Sequence, residues 1–328
     1  LTWDFLWGFS RRIRFEFTKP AIIPGGMTDL ELGFRYSWQP EIIIGTENGQ
    51  VRWENIAEGA LQRRYAGFIG IRKRLNVYQS LLLRLSYDQY FLADSIYIFD
   101  LEGGRNYYLS NGTGQEQFYQ VMLKYELDRR DWRSYPLSGY KLQLMGRAAG
   151  GPSSSTQFGK LGVTWAQHFP LHPRLNLAYG FQSIYTLGRR LPFFEKSQIG
   201  IQRPEFPDIS NELRGYQPYV IDGTWLNLAK LEFKYAIFPY RMIPMDWLGI
   251  RWIRSQALAI YATAFADVGY VRDESFSNYD QRFKDKLLRG YGVGLNLMVI
   301  YDMLWRVEYA RNHLGQGGIY FHGTLPIK

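Results

Sequence analysis

The sequence contains no cysteine, so no disulfide framework holds it together. A chain of 328 residues can do without disulfides, even in an oxidising compartment, if something else closes its fold. It also lacks any apolar run near the about 18 residues that a membrane-spanning helix needs. No Lys/Arg run resembles a nucleic-acid tail, and the basic residues are spread along the chain despite a net charge of +9. Anionic lipid or acidic partners remain compatible with that charge, and no nucleic-acid partner is expected. Histidine is scarce, at His168, His172, His313 and His322. No helical heptad is found. The start, LTWDFLWGF, has no basic leader before an apolar core, which reads as a chain numbered after processing or a cytosolic one.

What is present is aromatic and alternating. Tyr, Phe and Trp make up 17% of the chain, and acidic residues are frequent enough to argue against disorder. In GTWLNLAKLEFKYAI (223 to 237), Trp225, Ala229, Leu231, Phe233, Tyr235 and Ile237 alternate with Lys230, Glu232 and Lys234. Successive strand side chains point to opposite faces, so one face is apolar and the other charged. The split recurs at 11 to 17, 30 to 38, 81 to 88, 119 to 128 and 140 to 147, then along most of the chain to 327. A mean hydropathy of −0.28 conceals the pattern, because alternation averages it away.

Two architectures fit many alternating strands. A soluble sandwich or barrel hides its apolar face in a core, whereas an outer-membrane barrel turns that face to lipid. Trp38, Trp165, Trp225 and Tyr309 sit near strand ends, where the two lipid–water interfaces favour them. Several strands reach the ~9–11 residues needed to cross a bilayer at a tilt, against ~5–6 in an ordinary strand. Short turns at 76 to 79, 170 to 174 and 300 to 302 alternate with long loops at 39 to 60, 92 to 117, 188 to 223 and 270 to 286. The 239 to 254 link is long for a turn. The fold class expected is therefore all-β, a closed antiparallel transmembrane barrel filling residues 1 to 328, in a bacterial outer membrane with membrane lipids as its surroundings.

Four segments occur in an order that resembles a known family: DRRDWRSYPLSGYKLQL (128 to 144), ISNELRGYQPYVIDG (209 to 223), NLAKLEFKY (227 to 235) and FADVGYV (265 to 271). Together they are similar to the barrel of the BamA/TamA family of outer-membrane protein assembly factors, which are related to two-partner secretion transporters. EIIIGTENGQ (41 to 50) is similar to that family's Gly-Asn loop. The resemblance implies sixteen strands and a 188 to 223 loop folded into the lumen. There Leu213, Arg214, Gly215 and Tyr216 would be its working segment, with Glu232 and Asp267 as the acidic partners of Arg214. A plainer reading leaves Arg214 as a solvated loop charge and Asp267 as a strand cap.

The resemblance further implies insertion, assembly or translocation of client outer-membrane or secreted polypeptides, with accessory outer-membrane or periplasmic proteins. In this mechanism the first and last strands pair weakly and a client strand adds to the open edge. The seam strand would be 317 to 327, weakened by Gly317, Gly318, Gly323 and Pro326. The sequence departs from the family in showing no periplasmic domains and in ending on Lys328 rather than an aromatic residue. It supplies thirteen good strands; the alternating LTWDFLWGF offers one more, so the chain reads as beginning inside the barrel. An accessory or scaffold barrel, or the membrane anchor of a fused enzyme, is the alternative.

No enzyme, cofactor or metal site is expected. His168 and His172 flank a turn without a second ligand cluster. His322 has no serine nearby in sequence to form a nucleophilic pair. GYGVG (290 to 294) resembles part of a dinucleotide loop but no helix follows. Inward glycines that make room for an inserted loop explain it better.

Overall fold

Alternating sequence becomes ladder pairing along almost the whole chain. The computed structural model describes residues 2–8, 10–23, 26–56, 58–93, 109, 114–152, 154–200, 211–244, 255–273, 282–299 and 303–324. Its strands are β1 (Thr2–Leu6), β2 (Arg11–Lys19), β3 (Thr28–Gln39), β4 (Glu41–Glu47), β5 (Gln50–Asn55), β6 (Gln62–Arg74), β7 (Gln79–Leu92), β8 (Gln115–Asp128) and β9 (Gly139–Gly150). They continue with β10 (Gln157–His172), β11 (Leu175–Arg190), β12 (Ser197–Ile199), β13 (Ile221–Gly223), β14 (Trp225–Pro244), β15 (Ser255–Arg272), β16 (Leu287–Val299), β17 (Met303–Asn312) and β18 (Gly317–Thr324).

Fourteen of these form one antiparallel sheet in the order β1-β2-β3-β6-β7-β8-β9-β10-β11-β14-β15-β16-β17-β18. The thirteen strands legible in the sequence are there, and LTWDFLWGF supplies β1 as the fourteenth. Among the described residues the sheet thus shows fourteen of the sixteen strands implied by the resemblance. The remaining strands do not extend it, because β4 pairs with β5 and β12 with β13 in separate two-stranded units. Among the described residues no ladder joins β18 to β1.

The two faces are inverted relative to a water-soluble core. On β14, Leu231, Phe233 and Tyr235 are exposed, whereas Lys234 is 6% exposed. Leu295 and Leu297 on β16 are exposed, while Asn296 between them is 2% exposed. The register carries this across the sheet: Leu231 faces Ala266 and Lys230 faces Asp267 across the β14–β15 ladder. The outer face is therefore apolar and the inner face polar, as in an outer-membrane barrel wall.

Connections sort to two ends. At one end β3 and β6 are bridged by the β4–β5 hairpin, and β11 and β14 by the segment carrying β12 and β13. EIIIGTENGQ, expected to be a loop, is thus mostly paired strand, with Asn48 and Gly49 at positive φ in its turn. Part of the 239 to 254 link is strand as well, since β14 runs to Pro244; its centre lies outside the described residues. His168 lies within β10 rather than at a turn edge, because β10 continues to His172.

Candidate functional site

The inward positions of β14, β15 and β17 carry Glu232, Asp267 and Glu308. Each carboxylate is directed inward by the period-2 alternation of its own strand. β16 runs between β15 and β17 and presents Gly290, Gly292 and Gly294 on the same face. Asp267 pairs in register with Gly290, Phe265 with Gly292, and Gly294 with Glu308. The glycines leave a trough in the wall. A Cβ on Gly290 would overlap the carbonyl oxygen of Arg214, and one on Gly292 would meet the Phe265 ring at 2.7 Å.

The segment from Leu213 to Tyr216 lies in this trough. Arg214 Nε donates to Asp267 Oδ2 and Nη2 to Asp267 Oδ1, both at 2.7 Å. Nη1 donates to Glu232 Oε2 at 2.6 Å and lies 3.6 Å from Glu308 Oε1. The guanidinium carbon also stands 3.7 Å from the centre of the Phe265 ring. Forked pairing with one carboxylate and stacking on an aromatic face are what guanidinium does and ammonium does not. Burial alone would lower the proton affinity of Arg214, but Asp267, Glu232 and Glu308 outweigh it and raise it. The side chains of Asp267 and Glu308 are almost wholly buried.

The neighbours of Arg214 hold the loop. Leu213 and Tyr216 join an apolar cluster with Ile199, Ile221, Leu226, Leu228, Val271, Phe283 and Leu288. Gly215 has φ 88°, a conformation that favours glycine, and a Cβ there would meet the Arg311 backbone at 3.0 Å. Asn312 Nδ2 donates to the Gly215 carbonyl at 3.0 Å, and the Tyr216 hydroxyl bonds His313 Nδ1. Tyr219 donates to Gln316 Oε1 at 2.9 Å. Part of the loop is therefore bound to the β17–β18 turn, next to the last strand of the sheet.

Two further ties fix the loop at its outer end. Lys196 and Lys284 each reach Asp273 at 3.0 Å and Asp222 at 3.5 Å, making a buried square of alternating charge. Asp222 also accepts from Thr46, and Val220 N donates to the Gly49 carbonyl at 2.8 Å, so the β4–β5 hairpin closes over it.

From the opposite end the β8–β9 turn also enters. Tyr135 is buried against Ala236, Ala259, Tyr261, Met298 and Leu304, on β14 to β17. Asn296 Nδ2 donates to the Tyr135 hydroxyl at 3.0 Å. Lys234 Nζ donates to the Pro136 carbonyl at 3.1 Å and lies 4.3 Å from the Tyr135 ring centre. Lys234 is two residues from Glu232 on the same face, so the two inserted segments share one polar column of β14.

The structure brings Leu213, Arg214, Gly215, Tyr216, Glu232 and Asp267 together. It adds Glu308, Phe265 and Asn312, which sequence reasoning missed. Alternation places Glu308 and Asn312 on the polar face of β17, but nothing short of the strand register puts Glu308 beside Arg214. His322 lies 3.6 Å from Glu308 and 3.8 Å from Glu212, so it extends the same polar group. The proposed seam glycines lie on β18, paired to β17 from Gly317↔Arg311 to Thr324↔Leu304. A Cβ on Gly317 would meet Tyr309 Oη at 2.9 Å, and one on Gly323 the Trp305 ring at 3.0 Å. Pro326 lies outside the described residues. Among the described residues no group of three or more His, Cys, Asp or Glu could hold a metal ion.

No protein-family model and no curated protein sequence matches the chain. Solved structures do. BamA from Haemophilus ducreyi lacking POTRA domains 1–3 superposes with a TM-score of 0.62 at 14% identity, covering 96% of this chain and 62% of that one. CdiB from Escherichia coli gives 0.56 at 13% identity, over 96% and 52%. CdiB from Acinetobacter baumannii gives 0.54 at 11% identity, over 96% and 50%. The chain spans less than two thirds of each of these structures. Fourteen antiparallel strands, an apolar outer face and an inserted loop give this chain the fold of the BamA and CdiB barrels.

Proposed function

We propose that this chain is a bacterial outer-membrane barrel that inserts or translocates polypeptides, with Arg214 as the pin of its lumen loop. The observation that carries the reading is the seat of Arg214. One side chain contacts carboxylates from β14, β15 and β17, and its neighbours bind the β17–β18 turn. The loop and the last hairpin are thereby coupled, and β18 presents the edge to which a client strand would add. Lipids would surround the outer face, client polypeptides would engage the edge or lumen, and accessory proteins would deliver them. No catalytic group, cofactor or metal enters this mechanism.

The test is Arg214→Ala in cells. The ladders and the apolar outer face that build the wall owe nothing to Arg214, so a folded, heat-modifiable barrel is expected. Loss of the cation leaves Glu232, Asp267 and Glu308 without their shared partner, and Lys230 and Lys234 relieve only part of that cost. A loosened, protease-sensitive loop with impaired client assembly is the expected phenotype. Normal client assembly would remove Arg214 from the mechanism. Loss of the barrel itself would make Arg214 a folding residue.

A further inference from the structure

Away from the Arg214 site, the inner face of β2, β3 and β6 carries a group of arginines that pairing does not neutralise. Arg14 on β2 stands directly across from Arg35 on β3. One row further on, Ser37 lies between Arg12 and Arg64. Four guanidiniums thus share a patch two strand spacings wide. Like charges directly opposite on one face of a sheet oppose pairing.

Three of the four have acids. Arg12 reaches Asp4 at 2.8 Å, Arg14 reaches Glu16 at 2.6 Å and Arg64 reaches Asp88 at 2.5 Å. Arg35 has no hydrogen bond or ion pair among the described residues. The charges that bear on it most are Arg64, Arg14 and Arg12, with Glu16 as the opposing carboxylate. Arg35 is half-buried, as are Arg14 and Arg64, whose Nε and Nη2 are taken by Glu16 and Asp88. The open fork is therefore that of Arg35, and its neighbours have only their remaining donors to offer.

We infer that Arg35, with Arg12, Arg14 and Arg64 around it, is a binding site for a water-borne phosphate-class oxyanion on the inner wall. An anion with several oxygens can take a fork from Arg35 and further donors from its neighbours, which no single carboxylate in reach supplies. It would also convert a repulsive cross-strand pair into two ligands of one charge. The position on the inner face excludes bilayer lipid as the source, so the ligand arrives through water. The site is independent of the loop pinned by Arg214, and its test needs no client assembly.

Equilibrium dialysis of the purified full chain in detergent, with radiolabelled inorganic phosphate in a chloride buffer of fixed ionic strength, reads the site directly. Saturable binding near one equivalent is expected. Arg35→Gln removes one charge-assisted contact, and at least about a tenfold loss of affinity is expected from it. Because this change also relieves repulsion, the barrel should fold and keep its heat-modifiable mobility. If Arg35→Gln does not fold, Arg35→Lys decides, since it keeps the charge, loses the fork and should bind several-fold more weakly. Non-saturable uptake, or equal affinity in wild type and the folded variant, would overturn the site.

Discussion

Arg214 and Asp267 are joined by two parallel hydrogen bonds of 2.7 Å, although 53 residues separate them in sequence. Glu232 receives a single bond from the same guanidinium and is the more exposed partner. The two carboxylates are therefore not equivalent, and geometry ranks them.

Asp267→Asn is expected to loosen the loop more than Glu232→Gln. Asparagine offers a single acceptor oxygen where Asp267 supplies two, and it leaves a buried guanidinium short of charge. Breaking one side of a buried pair costs about 3–5 kcal/mol, and the partly exposed Glu232 should fall below that range. Limited proteolysis of the 188 to 223 segment, with barrel mobility before and after boiling as control, ranks the two. Arg214→Lys should resemble Arg214→Ala rather than wild type, because an ammonium cannot make the fork or stack on Phe265.

Gly290→Ala tests the trough from the wall side. An added methyl would occupy the space of the Arg214 carbonyl oxygen, and that atom belongs to backbone, which cannot swing aside. The β15–β16 and β16–β17 ladders need no glycine at this position. The expected outcome is a folded barrel whose loop is cleaved faster by protease. Unchanged cleavage would show that the loop has a second seat.

Much of this was legible in sequence, and what was not has physical causes. Alternation identifies both faces of β14 and β16 because the exposed and inward faces of the wall carry opposite polarity on neighbouring residues. GYGVG signals a trough because three inward glycines serve no wall packing of their own. The β4–β5 pairing escaped, since a hairpin that joins no larger sheet carries weak alternation between its Gly, Asn and Glu residues. Glu308 escaped because register, rather than composition, decides which inward acid reaches Arg214.

The β8–β9 turn gives a second, independent prediction. Tyr135 is 3% exposed and spans four strands of contacts. Tyr135→Ala should cost about 3–5 kcal/mol, the range for large aromatic truncations in a packed site. Tyr135→Phe loses only the bond from Asn296 and should cost about 1 kcal/mol. Denaturant unfolding in micelles separates the two. Equal effects would place the value of Tyr135 in its hydroxyl rather than its ring.

Leu231→Arg tests which face meets lipid. On β15, β16 and β17 the outward positions carry arginine at Arg272, Arg289 and Arg311, all toward the same end of the wall as the inserted loop. Mid-strand outward positions such as Leu231, Val293 and Val307 are apolar and exposed. That distribution is the one a bilayer around the wall would impose: a cation at the bilayer midplane costs about 2–4 kcal/mol and near the interface about 0–1. Leu231→Arg should therefore reduce folding into phospholipid vesicles by about that midplane amount. In detergent micelles, which deform around a charge, the penalty should be smaller. The inward neighbours Lys230 and Glu232 keep their contacts in the variant, so the Arg214 site itself should stay intact and the loop protected. If Leu231→Arg folds into vesicles as well as wild type does, the apolar face does not meet lipid.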